Sequence, residues 1–353
     1  MDRMVAAIQI AAKKIGENQP CFIIAEAGVN HNGSLRLALE LVDAAAETGA
    51  DAVKFQTFKA ENLVTRTAPQ AEYQVRNTGK VESQYDMLKR LELDAESHRK
   101  IAAYCRKKKI VFLSTPFDEE SADLLEILNV PAFKIGSGEL TNLSFISHVA
   151  RKGKPMIIST GMAISAEVKE VIKAVRDASN DQIVLLHCVS SYPAKARWAN
   201  LNAIQTMKKT FGLPVGYSDH VIRNETALAA VALGACVIEK HFTLDRKLPG
   251  PDQKLSLEPD EFAELVSGIR LVETALGDGI KKPVKEEKPV ADLVRRSLVA
   301  ACDIPEGSLL TEKHITIKRP GTGLPPAMIN DLLRRKTKVP VREGTLFTRK
   351  MLA

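Results

Sequence analysis

Ionisable and hydroxyl residues recur at the ends of eight short apolar runs between residues 22 and 241. They comprise three carboxylic acids, two lysines, two histidines and three hydroxyl residues, namely Glu26, Lys54, Thr115, Lys134, Ser137, Glu139, Ser159, His220, Glu239 and His241. Such residues can bind anions, hold a metal ion and transfer protons, whereas they contribute little to a hydrophobic core. The pattern therefore predicts an enzyme.

His220 and His241 end two successive apolar runs, so they lie side by side if the runs are neighbouring strands. Two imidazoles on adjacent strand ends can share one divalent metal ion and leave positions open for water and substrate. The flanking acids Asp219 and Glu239 favour a metal site over two structural histidines. The pattern leaves Mn²⁺, Mg²⁺, Co²⁺ and Zn²⁺ open.

Lys54 and Lys134 end two other runs, and hydroxyl residues lie nearby in the sequence. A lysine in such a place can form a Schiff base or act as a point charge for phosphate and carboxylate. The neighbouring Ser137 and Ser159 favour anion binding. The glycines of KIGSGE at 134–139 also offer backbone N–H groups for phosphate oxygens.

The glutamates and Asp252 can balance the lysines and the metal or position a water molecule. Asp252 belongs to the stretch PGPDQKLS at 249–256, which we expect to fold over the site. His31 in the stretch NHNG either contacts substrate or caps a turn. Cys188 is expected in the core, because no histidine arrangement around it indicates an activated thiolate.

The elements that position these residues are strands alternating with amphipathic helices. The apolar runs are FIIAEAG at 22–28, AVKFQ at 52–56, IVFLST at 110–115, AFKIGSGE at 132–139, PMIISTG at 155–161, IVLLHC at 183–188, VGYSDH at 215–220 and CVIEKH at 236–241. Such runs indicate parallel strands that helices cover on both faces. Eight of them predict an α/β fold, a (β/α)₈ TIM barrel with its active site at the C-terminal strand ends.

The chain of 353 residues would hold one barrel of about 250 residues and a small second domain. We expect a catalytic barrel domain at 1–278, which includes an N-terminal hairpin, and a linker rich in Lys, Glu and Pro at 279–292. A connection from Thr57 to about Leu93 is long enough to be a lid or a binding loop. A β-rich second domain is expected at 293–353.

An internal repeat supports that second domain. IPEGSLLTEKHI at 304–315 matches VREGTLFTRKML, which begins 37 residues later. Two copies of one strand–turn–strand unit predict a small pseudo-symmetric β domain. The sequence RPGTG at 319–323 lies between the copies and suits a shaped loop.

Composition limits the classes of function. Aromatic residues make up only 5%, which argues against stacking on single-stranded nucleic acid, and the net charge of +7 suits a small anionic substrate. No apolar run reaches the roughly 18 residues of a membrane span, and the first residues are too charged for a signal peptide. Five scattered cysteines lead us to expect a reducing cytoplasm.

Nine motifs in chain order resemble the sialic acid synthase family. They are IIAEAGVNHNG, AVKFQTF, STPFD, FKIGSGEL, ISTGM, LLHCVSSYPA, VGYSDH, EKHFTLD and PGPDQKLSLEP. The tail RRSLVAACDIPEGSLLTEKHITIKRPGTG is similar to the family's antifreeze-like (SAF, β-clip) domain. The resemblance implies an enzyme that condenses phosphoenolpyruvate with an N-acetylmannosamine-type sugar, releasing phosphate and forming a nine-carbon 2-keto acid.

The resemblance also implies residue roles. The phosphate of phosphoenolpyruvate would be held by Lys134, Ser137, Ser159 and Ser190, and its carboxylate by Lys54 and Thr115. A metal ion, Mn²⁺ or in its place Mg²⁺ or Co²⁺, would be bound by His220 and His241 and would polarise the sugar aldehyde. The remaining implied roles are water or proton handling by Glu239 and Asp252, sugar or pyruvyl contacts by Glu26 and Glu139, and sugar contacts by Gln56 and Tyr192.

The family works as a homodimer with swapped C-terminal domains, so Arg319 is expected to reach the acceptor sugar of the other subunit. Two stretches depart from the family pattern. Members of the family often have Thr and then Asn or Ser at the positions of Val189 and Ser190. Val221 stands where the family more often has threonine after Asp219-His220. None of these changes removes an expected lysine or metal ligand.

The acceptor sugar is the open point. N-acetylmannosamine, which would give N-acetylneuraminate, is the first expectation; a 2,4-diacetamido-2,4,6-trideoxyhexose, giving diacetyllegionaminate or pseudaminate, is the alternative. Two other classes are possible. A Schiff-base aldolase on the same barrel would use Lys134 covalently without a metal, and a non-catalytic carbohydrate-binding protein would not need the ionisable rim.

Overall fold

The structure, a computed structural model, describes residues 7–353, which divide after Gly277 into two compact units. The expected N-terminal hairpin falls partly on residues 1–6, which lie outside the described residues. Within those residues, strands β1 (Ile8–Ile10) and β2 (Lys13–Ile15) pair in antiparallel fashion. No helix in residues 7–353 is long and apolar enough to cross a membrane.

Eight parallel strands form the centre of the first unit, and the prediction of a TIM-like barrel is confirmed. The strands are β3 (Phe22–Gly28), β4 (Ala52–Thr57), β5 (Val111–Pro116), β6 (Phe133–Ile135), β7 (Met156–Ser159), β8 (Ile183–Cys188), β9 (Val215–Asp219) and β10 (Val237–His241). Their hydrogen-bonded order is β5-β4-β3-β10-β9-β8-β7-β6, and β5 packs beside β6, so the barrel is nearly closed.

Helices surround the strands and connect their ends. They are α1 (Leu35–Glu47), α2 (Ala60–Leu63), α3 (Glu72–Thr78), α4 (Gln84–Leu91), α5 (Ala95–Lys108), α6 (Glu119–Ile127), α7 (Leu143–Ala150), α8 (Ser165–Asp177), α9 (Asn202–Phe211), α10 (Glu225–Ala232) and α11 (Pro259–Leu276). Several start at a residue whose side chain accepts from the backbone of the first turn, as Asp94 does for α5 and Asp118 for α6. The apolar faces of α1 and of α5 to α11 pack on the outer face of the strands.

The barrel interior is apolar at one end and ionisable at the other. Phe22 and Ile24 at the start of β3 pack inside the barrel with Ile8, Ile10 and Ile15 of the hairpin, which covers the N-terminal end of the strands. Successive residues of a strand point to opposite faces, so every second residue continues inward. The next inward residue of β3 is Glu26, which belongs to the opposite end.

The connection from β4 to α5 differs from a plain loop. Residues 58–94 contain the three short helices α2, α3 and α4. They enclose a small apolar cluster of their own, formed by Val29, Phe58, Ala60, Met87, Leu88 and Leu91. The sequence did not reveal these helices, because each is too short for a clear helical period. We call residues 58–94 the lid segment.

The second unit contains helices α12 (Lys288–Val294) and α13 (Ile329–Leu332) and the antiparallel strands β11 (Ser297–Ala300) and β12 (Ile315–Lys318). The stretch 279–292, predicted as a linker, belongs to this unit and includes the start of α12. The two repeat copies meet at their first residues. Ile304 and Val341 exchange backbone hydrogen bonds of 2.8 Å in each direction.

The repeat is structural as well as sequential. Gly307 and Gly344 hold the same left-handed φ of 78°, and each copy ends in a 3₁₀ turn, Glu312–His314 and Arg349–Met351. The copies are joined at the isolated bridge between Ile304 and Val341, whereas β12 pairs with β11, so the expected strand–turn–strand units are only partly formed as strands. Their apolar residues, including Leu310 and Phe347, form one common core.

Candidate functional site

A cavity of about 730 Å³ opens at the C-terminal ends of the barrel strands. Every site residue predicted from the sequence lines it, with the exception of Arg319. They are Glu26, Lys54, Gln56, Thr115, Lys134, Ser137, Glu139, Ser159, Ser190, Tyr192, His220, Glu239, His241 and Asp252. Arg319 is exposed in the second unit. The volume lies in the range of small-molecule sites.

Four buried charged groups cross the inside of the barrel. Lys54 Nζ lies 2.6 Å from Glu26 Oε2 and 3.7 Å from Glu239 Oε2. Lys134 Nζ lies 3.6 Å from the other oxygen of Glu239. Glu239 on β10 therefore stands between two lysines that come from β4 and β6, the strands on either side of β5.

These charges set the protonation of the site. Burial raises the pKa of Glu26 to about 7, although Lys54 opposes the shift. Burial alone would raise the pKa of Glu239 too, but Lys134 and Lys54 together hold it below its ordinary value. Burial lowers the pKa of Lys134, whereas Glu239 and Glu26 outweigh burial at Lys54 and raise its pKa. Glu239 is thus the acid that stays ionised.

Each lysine also has a hydroxyl partner. Lys54 Nζ donates to Thr115 Oγ1 at 3.0 Å, and Lys134 Nζ donates to Ser159 Oγ at 2.7 Å. A lysine and a hydroxyl group facing one cavity form a binding site for a phosphate or a carboxylate. The site contains two such pairs, one on each side of Glu239.

A close approach of backbone and hydroxyl groups extends the Lys134 side. Gly161 N donates to Ser137 Oγ at 3.0 Å, and a Cβ atom at Gly161 would lie 2.8 Å from that oxygen and 3.2 Å from Cys188 Sγ. It would also collide with Ser190 Oγ, which has no hydrogen-bond partner among the described residues. Only glycine leaves room for these hydroxyl groups to converge on a ligand.

The two histidines lie beside each other, His220 directly after β9 and His241 at the end of the paired strand β10, with ring centroids 5.5 Å apart. His220 Nδ1 is 2.8 Å from Val189 O, so as a donor it leaves Nε2 free. His241 Nδ1 is buried without a partner among residues 7–353. Burial and then His220 lower the pKa of His241 well below its ordinary value, so its ring is neutral. A neutral, unpartnered imidazole beside a second one suits a divalent metal ion.

The same residues do not close a metal site by themselves. No group of three or more histidine, cysteine or carboxylate residues within the described chain could hold a metal ion. A metal bound to this pair would therefore keep several positions for water or substrate, which is the arrangement of catalytic sites.

Asp252 and two tyrosines form the wall next to the histidines. Burial raises the pKa of Asp252 to about 6. Tyr192 packs 4.3 Å from the His220 ring and stacks on Tyr73 of the lid segment at 5.2 Å. The lid segment is joined to the Asp252 loop, because Asn77 Nδ2 donates to Pro251 O at 2.7 Å.

Three expectations from the sequence are settled or corrected by these contacts. Cys188 is buried, as expected, but it also lines the cavity, and its Sγ lies 3.8 Å from His220 Nδ1. Asp219 does not support the histidines from inside the cavity, because its side chain points away to Lys240. His31 accepts from Gly33 N at 3.0 Å and does not line the cavity, which supports its role as a turn residue.

Some lining residues escaped sequence analysis. Ser218 lies two residues before His220, and strand alternation alone predicts that both face the cavity; its hydroxyl donates to Glu239 Oε1 at 3.2 Å. Tyr73 and the apolar residues Leu63, Val64 and Met87 come from the lid segment. No local pattern identifies them, since they reach the cavity only through the packing of three short helices.

A barrel whose strand ends carry buried lysines, acids and a histidine pair around one cavity is typical of an enzyme site. Sequence comparison identifies its kind. Residues 41–281 match the NeuB family, and residues 295–353 match the SAF domain. The chain belongs to this family of sialic acid synthases, which includes legionaminic and pseudaminic acid synthases, and it is an enzyme.

Named relatives agree over almost the whole chain. It is 48% identical to the N,N'-diacetyllegionaminic acid synthase of Legionella pneumophila, over 94% of this chain and 95% of that protein. It is 50% identical to the synthase of the same name from Campylobacter jejuni, over 86% of this chain and 91% of that one. The crystal structure of N-acetylneuraminic acid synthetase from Leptospira borgpetersenii superposes with a TM-score of 0.72 at 36% identity, covering 82% of this chain and 96% of that chain.

Replacement of Glu239 should reveal the buried charge network. Glu239→Gln leaves Lys134 without its nearest carboxylate, and we expect a loss of about 3–5 kcal/mol in the free energy of unfolding at pH 7. The pKa of Lys134 should fall further, so between that pKa and its ordinary value of 10.5 the unfolded chain binds more protons than the folded one. The free energy of unfolding of Glu239→Gln protein therefore rises with pH in that range. Its loss relative to wild type should shrink between pH 7 and pH 9.

Urea denaturation at the two pH values measures both effects. Glu139→Gln is the matched control, because Glu139 lines the same cavity, is half-buried and only accepts from Asn142. The control should lose less than about 1 kcal/mol. Equal losses for the two variants, or a Glu239→Gln penalty that grows with pH, would contradict the assigned network.

Proposed function

We propose that the enzyme condenses phosphoenolpyruvate with a 2,4-diacetamido-2,4,6-trideoxyhexose and is an N,N'-diacetyllegionaminate synthase. The pair of lysine–hydroxyl sites on either side of Glu239 carries this proposal. Phosphoenolpyruvate has two anionic groups, a phosphate and a carboxylate, and the cavity has two cationic positions for them. The Lys134 side, with Ser137, Ser159 and Gly161, has the larger number of donors and suits the phosphate.

The reaction that these groups support joins C3 of phosphoenolpyruvate to the aldehyde carbon of the open-chain sugar. Cationic character develops at C2, water adds there, and the C–O bond to phosphate breaks. Glu239, ionised between two lysines, is placed to stabilise that positive charge or to take the proton of the attacking water. Asp252, with a pKa of about 6, is the second candidate for the proton.

The remaining lining residues suit the acceptor. Gln56 Nε2 lies 3.4 Å from Glu26 Oε1, and both groups can bond to sugar hydroxyls. Tyr192 offers a ring face, and Glu139 is half-buried at the open edge of the cavity. The apolar lid residues Leu63, Val64 and Met87 suit an acceptor with a methyl group at C6 better than one with a hydroxymethyl group.

N-acetylmannosamine, the first expectation from the sequence, becomes the second candidate. The two relatives named diacetyllegionaminic acid synthases share 48% and 50% of their residues with this chain, against 36% for the N-acetylneuraminic acid synthetase. Pseudaminate synthesis from an isomeric diacetamido sugar is a third candidate. All three reactions use the same bond changes, so only the acceptor distinguishes them.

The test measures phosphate release from phosphoenolpyruvate labelled with ¹⁸O in the bridging position, with Mn²⁺ present. We expect kcat/KM to be at least about tenfold higher for 2,4-diacetamido-2,4,6-trideoxymannose than for N-acetylmannosamine, because the substituents differ at two carbons. The label should appear in the released phosphate, as C–O cleavage requires. The reverse preference would make the enzyme an N-acetylneuraminate synthase.

A Schiff-base aldolase is the competing class, since burial lowers the pKa of Lys134, as a Schiff-base lysine requires. However, Lys134 Nζ is already engaged by Ser159 and lies near Glu239. Treatment with pyruvate and sodium borohydride should therefore leave the mass of the protein unchanged. A reduced adduct on Lys134, together with label-free phosphate or no phosphate, would overturn the synthase proposal.

The metal is a separate part of the proposal. His220 and His241 would hold one divalent ion, with Mn²⁺ first and Mg²⁺ or Co²⁺ as substitutes. The bound ion would supply Lewis-acid polarisation of the sugar aldehyde. The histidines contribute nitrogen donors. The orientation of the His220 ring is set by its contact with Val189 O and by tilted packing against the Tyr192 ring.

Loss of one imidazole should weaken the metal site directly. We expect His241→Asn to lower Mn²⁺ affinity by at least about tenfold, measured from the free Mn²⁺ signal in electron paramagnetic resonance titrations. His148→Asn is the control, because His148 pairs with Asp123 on the surface at 2.7 Å and is outside the cavity. Unchanged Mn²⁺ binding by folded His241→Asn protein would refute this assignment.

We also propose that the enzyme works as a homodimer with swapped C-terminal domains, in the cytoplasm. The family resemblance and the exposed position of Arg319 in the second unit support this proposal. The guanidinium group of Arg319, exposed in the RPGTG loop, would bind an acetamido carbonyl of the sugar held by the other subunit.

Complementation tests this arrangement. Arg319→Ala and His241→Asn chains, each inactive alone, should regain about a quarter of the wild-type activity when co-expressed, because half of the dimers then contain one intact site. The control combines Arg319→Ala with itself and should stay inactive. Absence of recovery in mixed dimers confirmed by mass spectrometry would mean that Arg319 serves its own barrel or none.

A further inference from the structure

Lys240 is a buried lysine that does not face the cavity. It lies on β10 between Glu239 and His241, whose side chains point inward, so strand alternation turns it outward. The residue is only 3% exposed. A lysine without a catalytic position is rarely buried so completely unless all its donors are used.

All three donors of Lys240 are used within one short stretch. Its Nζ donates to Asp219 Oδ2 at 2.7 Å, to Arg223 O at 3.0 Å and to Val221 O. These acceptors belong to Asp219, the last residue of β9, and to Val221 and Arg223 in the segment between β9 and α10. His220 lies directly between Asp219 and Val221.

Asp219 completes the anchoring from the other side. Its Oδ1 accepts from Val221 N at 2.9 Å, and its Oδ2 accepts from Thr226 Oγ1 at 2.9 Å as well as from Lys240. The residue is 1% exposed. Residue 221 takes part only through its backbone, which is why a valine can stand there in place of a hydroxyl residue.

Stability alone does not account for this pair. A buried ion pair is often no more stabilising than apolar residues of the same size, because both charges lose their water. What the pair provides is geometry, since its bonds hold the backbone on both sides of His220. The same strand β10 carries His241, so Lys240 ties the segment of one histidine directly to the strand of the other.

We propose that Lys240 and Asp219 are positioning residues that fix His220 relative to His241 and so set the geometry of the metal site. The inference rests on the proposed role of the two histidines. Beyond this pair, the His220 ring is held by Val189 O and by packing against Tyr192. Those contacts orient the ring, whereas the Lys240 bonds place its Cα.

The test compares Mn²⁺ affinity between variants by electron paramagnetic resonance. Lys240→Met combined with Asp219→Asn removes the bonds without leaving an unpaired buried charge, and it should weaken Mn²⁺ binding about tenfold. Because the histidines remain, kcat at saturating Mn²⁺ should stay within about threefold of wild type, while the Mn²⁺ concentration for half-maximal rate rises in parallel with Kd.

Two further variants make the result specific. Lys154→Met is the matched control, because Lys154 anchors a loop by donating to Asn129 Oδ1 at 2.6 Å and Val130 O at 2.8 Å, outside the cavity; it should bind Mn²⁺ like wild type. Thr226→Val removes one bond to Asp219 with little change in shape, and it should weaken Mn²⁺ binding about threefold. It keeps the test valid if the double variant does not fold.

Wild-type Mn²⁺ affinity in a folded double variant, or in folded Thr226→Val if the double variant does not fold, would overturn the inference. An equal loss in Lys154→Met would also overturn it, since the effect would then reflect general destabilisation. Failure of the proposed function is distinguishable. In that case wild-type protein releases no phosphate with any acceptor, while the Mn²⁺ affinities still decide whether Lys240 positions the histidine pair.

Discussion

The buried charge network of Lys54, Glu239 and Lys134 is the constraint on which the candidate site depends. Two ammonium groups inside a barrel would repel each other and lack water, and the carboxylate between them, 3.7 and 3.6 Å away, makes their burial possible. Glu239 can take this position only from β10, on the strand that also carries His241. The same carboxylate thus makes it possible to bury the two lysines that suit anions, and it lies next to the histidines that suit a metal.

This network also explains the polarity of the barrel. Inward positions at the strand starts are filled by Phe22, Ile24 and Val237, which pack with the N-terminal hairpin into a dry interior. Two residues further along β3 and β10, the inward positions become Glu26 and Glu239. A charged side chain at an inward position nearer the strand starts would have only apolar neighbours. The ionisable groups are therefore confined to the end of the barrel where they can pair with each other and reach a ligand.

Much of this arrangement follows from local sequence pattern. Apolar runs with a polar last residue identify the eight strands, and alternation along each strand predicts which of those residues point inward.

What the pattern cannot predict is contact between distant segments. Cys188 was expected only in the core because no histidine arrangement around it indicated an activated thiolate, yet barrel closure brings its sulfur 3.8 Å from His220 Nδ1. Tyr73 reaches Tyr192 through three short helices whose packing no local rule predicts. The pairing of Asp219 with Lys240 could have been predicted, since each lies one residue from an inward histidine. Alternation along the strands already turns both side chains away from the cavity.

The balance of charge links the site to its proposed substrates. The inner cavity has two lysines against Glu239, which stays ionised, and Glu26, which is near its pKa at neutral pH. A multiply charged anion entering beside Glu26 would favour its protonated form, because like charges at close range raise a carboxyl pKa. A divalent cation on the histidines acts in the opposite direction and favours ionised acids. Binding of the proposed anion and metal would therefore be coupled through the same carboxylates. The geometry of the histidine pair, which we propose Lys240 and Asp219 to fix, would set the distance between the two charges.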